Sequence, residues 1–237
     1  MPNHVRNVLQ LHGEQKDIDS LLGHVRSEES AFDFNTLIPM PKTLDIVSGS
    51  QTVLGLEAAK YLETGVVPEA SNLQYWRNQE DASIPLERYI DILVEQGRCN
   101  LNLGQVALDN IREHGSPTWY EWRCAHWGTK WNAYSIEITE NTISFDTAWA
   151  APEAVIDKLA ELFPAVQITH YWSDENIGSN CGHTVYWDGG KTPDIVIDHS
   201  SDAYETYVFC WGDSDCLERD ERDDWQRKDC EVCAGCD

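Results

Sequence analysis

The sequence is poor in positive charge: 17 Lys and Arg stand against 41 Asp and Glu in 237 residues, a formal net charge of −24. Such a field repels phosphate backbones. Broad nucleic-acid binding is therefore disfavoured, and basic protein surfaces become the attracted class. No apolar run approaches the roughly 20 residues that cross a bilayer, so no membrane partner is expected. The start, Met1-Pro2-Asn3-His4-Val5-Arg6, lacks the charged beginning, apolar middle and small-residue cleavage site of a signal peptide, and a cytoplasmic location is expected. The familiar catalytic signatures are missing too: there is no Gly-x-Gly-x-x-Gly, P-loop, Gly-x-Ser-x-Gly or His-Glu-x-x-His. Asp33 lies between Phe32 and Phe34, and Glu121 between Tyr120 and Trp122. A raised pKa is conceivable at either, yet one acid without a partner makes no acid–base mechanism.

The chain is nonetheless built to fold. Its hydrophobic fraction is 41% and it holds ten Trp, enough for a sizeable core. His4 to His12 reads as a strand ending at Gly13, and Lys16 to Val25 as a helix with Ile18, Leu21, Leu22 and Val25 on one face. Phe32 to Pro41, with its two prolines, predicts an extended segment leaving the core. Val53–Leu62, Leu86–Gln96 and Leu101–Glu113 show helical spacing, with a polar loop over 65–83, so residues 50 to 115 read as a helical insertion. A helix opening at Pro117 is expected to end at Gly128. Tyr134–Thr139 and Thr142–Trp149 form a hairpin pattern, Pro152–Phe163 an amphipathic helix, and Val166–Trp172 and Gly182–Trp187 a further strand pair closed by Asp188-Gly189-Gly190. Strand-like runs follow at Ile195–Ile197 and Tyr204–Trp211. The expected class is α+β: an antiparallel sheet with helices on one face, compatible with a ferredoxin-like sandwich. Residues 1–190 would form that domain, and 191–237 an acidic, Cys-rich extension, a separate unit or loosely held arm with 14 acidic and five basic residues.

Four segments together carry a resemblance: Met1-Pro2-Asn3; Phe32-Asp33-Phe34-Asn35 with Ile38-Pro39-Met40-Pro41; Trp127-Gly128-Thr129-Lys130-Trp131-Asn132-Ala133-Tyr134; and Phe145-Asp146-Thr147-Ala148-Trp149. Over roughly residues 1–190 the chain resembles the YubB-like proteins of phages and plasmids, a family with a ferredoxin-like domain and no assigned function. The resemblance implies that fold, a mobile-element origin and a bacterial host cell. It implies no enzyme activity and says nothing about the cysteine-rich end. Genes in that setting often serve host takeover or suppression of host defences.

Candidate sites each admit two readings. In Trp127–Tyr134, Lys130 between two indoles could hold a phosphate or carboxylate, with Trp127, Trp131 and Asn132 completing the site of a nucleotide or small-ligand binding module or enzyme; alternatively, the two Trp are core plugs and Asn132 a loop tie. Of eight Cys, Cys210, Cys216, Cys230, Cys233 and Cys236 crowd the end. Their spacing approximates a zinc ribbon, which would make the tail a zinc-stapled adaptor, or else they form a reduced tail. His170 and His183 lie on the two late strands and could meet across the sheet, or each be an ordinary satisfied or exposed histidine. Acidic runs at Glu28-Glu29, Glu80-Asp81 and, above all, Glu218, Asp220, Glu221, Asp223 and Asp224 could mimic a phosphate ladder, or simply keep the protein in solution. The leading expectation is a non-catalytic accessory protein, of anti-CRISPR or DNA-mimic type, that binds a host or defence protein with a basic surface.

Overall fold

The structure is a computed structural model that describes residues 3–67, 70–188, 190–194 and 196–228. In chain order the elements are β1 (His4–His12), α1 (Gln15–His24), α2 (Ser50–Thr64), α3 (Asn72–Glu80), α4 (Leu86–Glu95), α5 (Leu101–His114) and α6 (Trp119–His126). They continue with β2 (Tyr134–Ile138), β3 (Thr142–Ala148), α7 (Glu153–Leu162), β4 (Gln167–Asp174), β5 (Gly182–Trp187), β6 (Gly190–Asp194), α8 (Ser201–Trp211), β7 (Leu217–Arg219) and β8 (Trp225–Arg227). The chain divides into two compact units: Met1–Pro39 with Cys124–Asp237, and Met40–Arg123.

The first unit is built on a six-stranded antiparallel sheet in the order β2-β3-β1-β4-β5-β6. Read as β1-α1-β2-β3-α7-β4, with β2-β3-β1-β4 side by side, this is the ferredoxin-like arrangement, so the protein is α+β as its sequence pattern predicts. Strand periodicity decides what is buried. Val5, Asn7, Leu9 and Leu11 alternate onto one face of β1 and are all at most 1% exposed. Register places Thr147, Phe145 and Ile143 of β3 opposite the first three, and Trp172, His170 and Ile168 of β4 opposite Asn7, Leu9 and Leu11. Over this face α7 buries Val155, Ile156 and Leu159. Its Asp157 holds Lys191 of β6. α1 lies beside it, the His24 ring 5.4 Å from that of Phe163.

Four findings depart from the sequence pattern. Phe32 and Phe34 do not leave the core: both are fully buried, edge-on to Phe145 with centroids 4.9 and 6.0 Å apart. Their segment turns as a short 3-10 helix over Phe34–Thr36, because the Asp33 carboxylate caps the Asn35 N–H. The sheet does not end after Trp187: a further strand follows over Gly190–Asp194, ahead of the expected run Ile195–Ile197, of which Val196 and Ile197 are irregular. Tyr204–Trp211 is helix rather than strand. The Ser200 hydroxyl caps the Ala203 N–H and starts α8, whose apolar content masks the period. Finally, α8 lies across the second sheet face, so this described part of the segment after 190 is joined to the sheet and helices cover both faces.

The second unit, inside the α1-to-β2 connection, is helical. The stretch 65–83 contains α3, capped by Ser71. Leu54, Ala58, Leu73, Tyr89, Ile90 and Leu93 form its core. α2 and α5 cross at Gly55 and Gly104; a Cβ on Gly104 would lie 2.0 Å from the Gly55 carbonyl carbon, so only glycine permits this approach. No helix among the described residues is long and apolar enough to cross a membrane.

Candidate functional site

The Trp127–Tyr134 segment is spent on the fold. Trp127 is fully buried and its indole N–H donates to the Ile38 carbonyl at 2.9 Å. The Thr129 hydroxyl donates to the Ala148 carbonyl. Asn132 accepts the Phe34 N–H through Oδ1 and donates to Asp33 through Nδ2. The Lys130 ammonium lies 4.9 Å from the Trp131 ring centroid and 5.1 Å from that of Trp149. It is held as a cation between two π faces. Trp149 is 44% exposed with φ +73, a conformation bulky side chains rarely adopt.

Cys210 and Cys216 are both buried free thiols. Cys210 faces the sheet from α8, and burial pushes its pKa up, opposing the thiolate that a metal needs. Cys230, Cys233 and Cys236 lie outside the described residues. Among the described residues no three His, Cys, Asp or Glu side chains form a group able to hold a metal ion.

The acidic run 218–224 forms a hairpin of β7 and β8. Asp220 turns it by accepting the Arg222 and Asp224 N–H groups at 2.7 and 3.0 Å. The Trp225 N–H donates to the Ser201 hydroxyl, tying the hairpin to the start of α8. Glu218, Glu221, Asp223 and Asp224 are exposed; Asp223 pairs with Arg219 at 3.4 Å.

Register also decides where the late histidines point. Tyr171 pairs with His183, and His170 with Thr184. His170 and His183 therefore lie on opposite faces and do not meet. His170 is fully buried in the core face, where its Nε2–H donates to Asn7 Oδ1 at 2.9 Å and its Nδ1 has no described partner. Burial depresses its pKa to about 3, so it is neutral.

His183 belongs to the α8 face. Its ring stacks on Tyr171, centroids 5.3 Å apart and planes 27° from parallel. Its Nε2 is 3.5 Å from Asp194 Oδ2 on β6. Phe209 of α8 closes on Tyr171 at 4.5 Å. α8 is pinned at both ends. At its C-terminal end the Trp211 indole donates to the Ser173 carbonyl, with Arg6 over its ring at 4.8 Å. Towards the start, Tyr204 covers Gly178, where a Cβ would come within 2.5 Å of the ring. Between helix and sheet edge lies a cavity of about 410 Å³ lined by Tyr171, His183, Asp194, Asp202, Glu205 and Phe209, among others. Aromatic rings make one wall and three carboxylates surround it. Of these residues only His183 stands out in the sequence, as a candidate neighbour of His170 across the sheet and not as a binding residue. The signal was present in the i, i+3, i+7 spacing of Asp202, Glu205 and Phe209, hidden by reading that stretch as a strand.

Comparison with known proteins adds a family likeness. A crystal structure of the protein Api92 from Yersinia pseudotuberculosis aligns with 82% of this chain and 99% of its own, at 12% identity and a TM-score of 0.40. No curated protein matches the chain. Residues 126–209, from the end of α6 to Phe209 in α8, match the family described as the ferredoxin-like domain in Api92-like protein.

Proposed function

We propose that the chain is a non-catalytic accessory protein of a phage or other mobile element, acting in the cytoplasm of a bacterial host. Its acidic C-terminal surface binds a host or defence protein through a basic face and blocks it, in the manner of an anti-CRISPR protein or DNA mimic. The observation that carries this reading is the mounting of the acidic segment. β6 extends the sheet, α8 is pinned by Trp211 and Tyr204, and the 218–224 hairpin is tied to Ser201. Charges held on a rigid frame lose little entropy on binding, whereas charges on a loose arm would serve solubility alone. The test is affinity capture from bacterial lysate together with a defence-interference assay. The tagged chain is compared with one in which Glu218, Asp220, Glu221, Asp223 and Asp224 carry the matching amides. The reading expects a salt-sensitive partner and inhibition of one defence system, both lost in the amide variant. No partner and no inhibition would overturn it.

A zinc staple at the end of this surface is a second reading. It is favoured by the hydrogen bond from the Lys228 N–H to the Cys216 carbonyl at 2.9 Å, which brings Cys216 beside the chain leading to Cys230, Cys233 and Cys236. Cys210, facing the sheet, is left out of that set.

A further inference from the structure

We propose that the cavity between α8 and the β4–β6 edge binds a guanidinium group, supplied in the complex by an arginine side chain of the partner protein. The second half of this proposal rests on the acidic-surface reading above; the first does not.

The cavity differs from an acidic patch in having an aromatic wall and a defined volume. The Tyr171 and His183 rings stack on each other, Phe209 leans on the first of them, and all three line the space. At about 410 Å³ the space lies in the range of small-ligand pockets, roughly 300–1,000 Å³. Three carboxylates border it from two elements, Asp194 from β6 and Asp202 and Glu205 from α8. The titratable groups facing the space are these three, His183 and Tyr171. Among the described residues Asp202 and Glu205 form no ion pair with Lys or Arg, and the Asp194 carboxylate lies 3.5 Å from His183 Nε2. Elsewhere on this unit the acids near a base are paired, as Asp146 is with Arg6 and Asp157 with Lys191. Here three exposed carboxylates converge beside aromatic rings with no Lys or Arg paired to them among the described residues.

A flat cation suits that combination. Guanidinium is planar, weakly hydrated and able to stack on aromatic rings while its edge donates to carboxylates in a fork. An ammonium is a compact, strongly hydrated point charge and gains less from stacked planes. A phosphate or carboxylate ligand is excluded by the sign of the walls.

The experiment is an NMR titration of the full chain with N-acetylarginine amide, N-acetyllysine amide and spermidine in separate arms. It is repeated on Asp202→Asn/Glu205→Gln and on the 218–224 amide variant. Both substitutions on α8 are near-isosteric at exposed positions, and amide dispersion checks that the fold is kept. The expected result is saturable shifts at Tyr171, His183 and Phe209 with the arginine probe, weaker ones with lysine, and about tenfold weaker arginine binding in the α8 variant. The hairpin variant keeps the arginine shifts, so loss of partner capture by that variant is read separately from this site. Absence of saturable shifts, or shifts indifferent to Asp202 and Glu205, would overturn the guanidinium site. Spermidine binding there as tightly as arginine would overturn the assignment to a partner's side chain. So would undiminished partner capture by the α8 variant.

Discussion

Asn132 and Asp33, 99 residues apart, are locked side chain to side chain: Asn132 Nδ2 donates to Asp33 Oδ1 at 2.7 Å while Asn132 Oδ1 takes the Phe34 N–H at 2.9 Å. Burial opposes the charge on Asp33. The Asn35 N–H, the Asn132 amide and the neighbouring Ser27 and Asn35 side chains outweigh it, holding the carboxyl below its ordinary range. The pair thus fastens the Phe32–Phe34 segment to the loop before β2. Asn132→Ala removes one of the donors to Asp33 and strands the Phe34 N–H, and should cost about 2–3 kcal/mol in urea unfolding. Because the folded pKa is depressed, the contribution of Asp33 is present above its unfolded pKa and lost as pH falls through the folded value. The gap between wild type and Asn132→Ala should therefore narrow in acid.

Glycine to alanine inside a helix ordinarily stabilises by about 0.5–1 kcal/mol. Gly104→Ala should do the reverse, since its Cβ would meet the Gly55 backbone at 2.0 Å and force α2 from α5. A loss of about 3 kcal/mol in the 40–123 unit is expected, seen as faster limited proteolysis within those residues. Gly23→Ala in α1, with nothing within 4 Å of the added methyl, should be neutral or slightly stabilising.

His170 makes stability pH-dependent in the opposite sense to a histidine that gains an acid partner. Its folded pKa of about 3 lies below the ordinary 6.5, so between those values the unfolded chain takes up a proton that the folded chain refuses. The stabilisation is complete above about pH 6.5 and falls as pH drops towards 3. From about pH 6.5 to 5 the loss should be about 2 kcal/mol. His170→Gln, which keeps a donor for Asn7, should flatten that slope in denaturation curves taken across the range.

Zinc content should separate the cysteines. In the purified full chain, Cys230→Ser with Cys233→Ser should abolish bound zinc measured by elemental analysis, and Cys210→Ala should leave it unchanged. The basis for the second outcome is that Cys210 is 7% exposed against the sheet, where burial keeps its thiol protonated. Zinc lost equally in both variants would show that Cys210 leaves the sheet to ligate. A wild-type chain free of zinc would remove the staple altogether.

Local pattern made much of this legible. The alternation in β1, the Glu140-Asn141 hairpin between β2 and β3 and the apolar stripe of α7 all sit within a residue or two of where periodicity places them. These elements bury one clear face, so spacing and environment agree. α8 did not read correctly because Tyr204, Tyr207, Val208, Phe209 and Trp211 leave few polar gaps. It is buried on one side by the sheet and still exposes Phe209 at 44%. α3 lies in a polar stretch and buries Leu73 alone of its own residues, so its one clear local signal is the Ser71 cap.

What the sequence determined by itself is the charge and the fold class. These depend on composition and short-range period, which survive without knowledge of partners. Tertiary structure alone decided that Tyr171 and not His170 faces His183, because strand register sets the pairing and one residue's shift flips the face. It also decided that Trp127 and Asn132 hold the fold, and that Asp194, Asp202 and Glu205 share one cavity. Those are contacts between distant segments, and no local pattern encodes which distant surface a helix will cover.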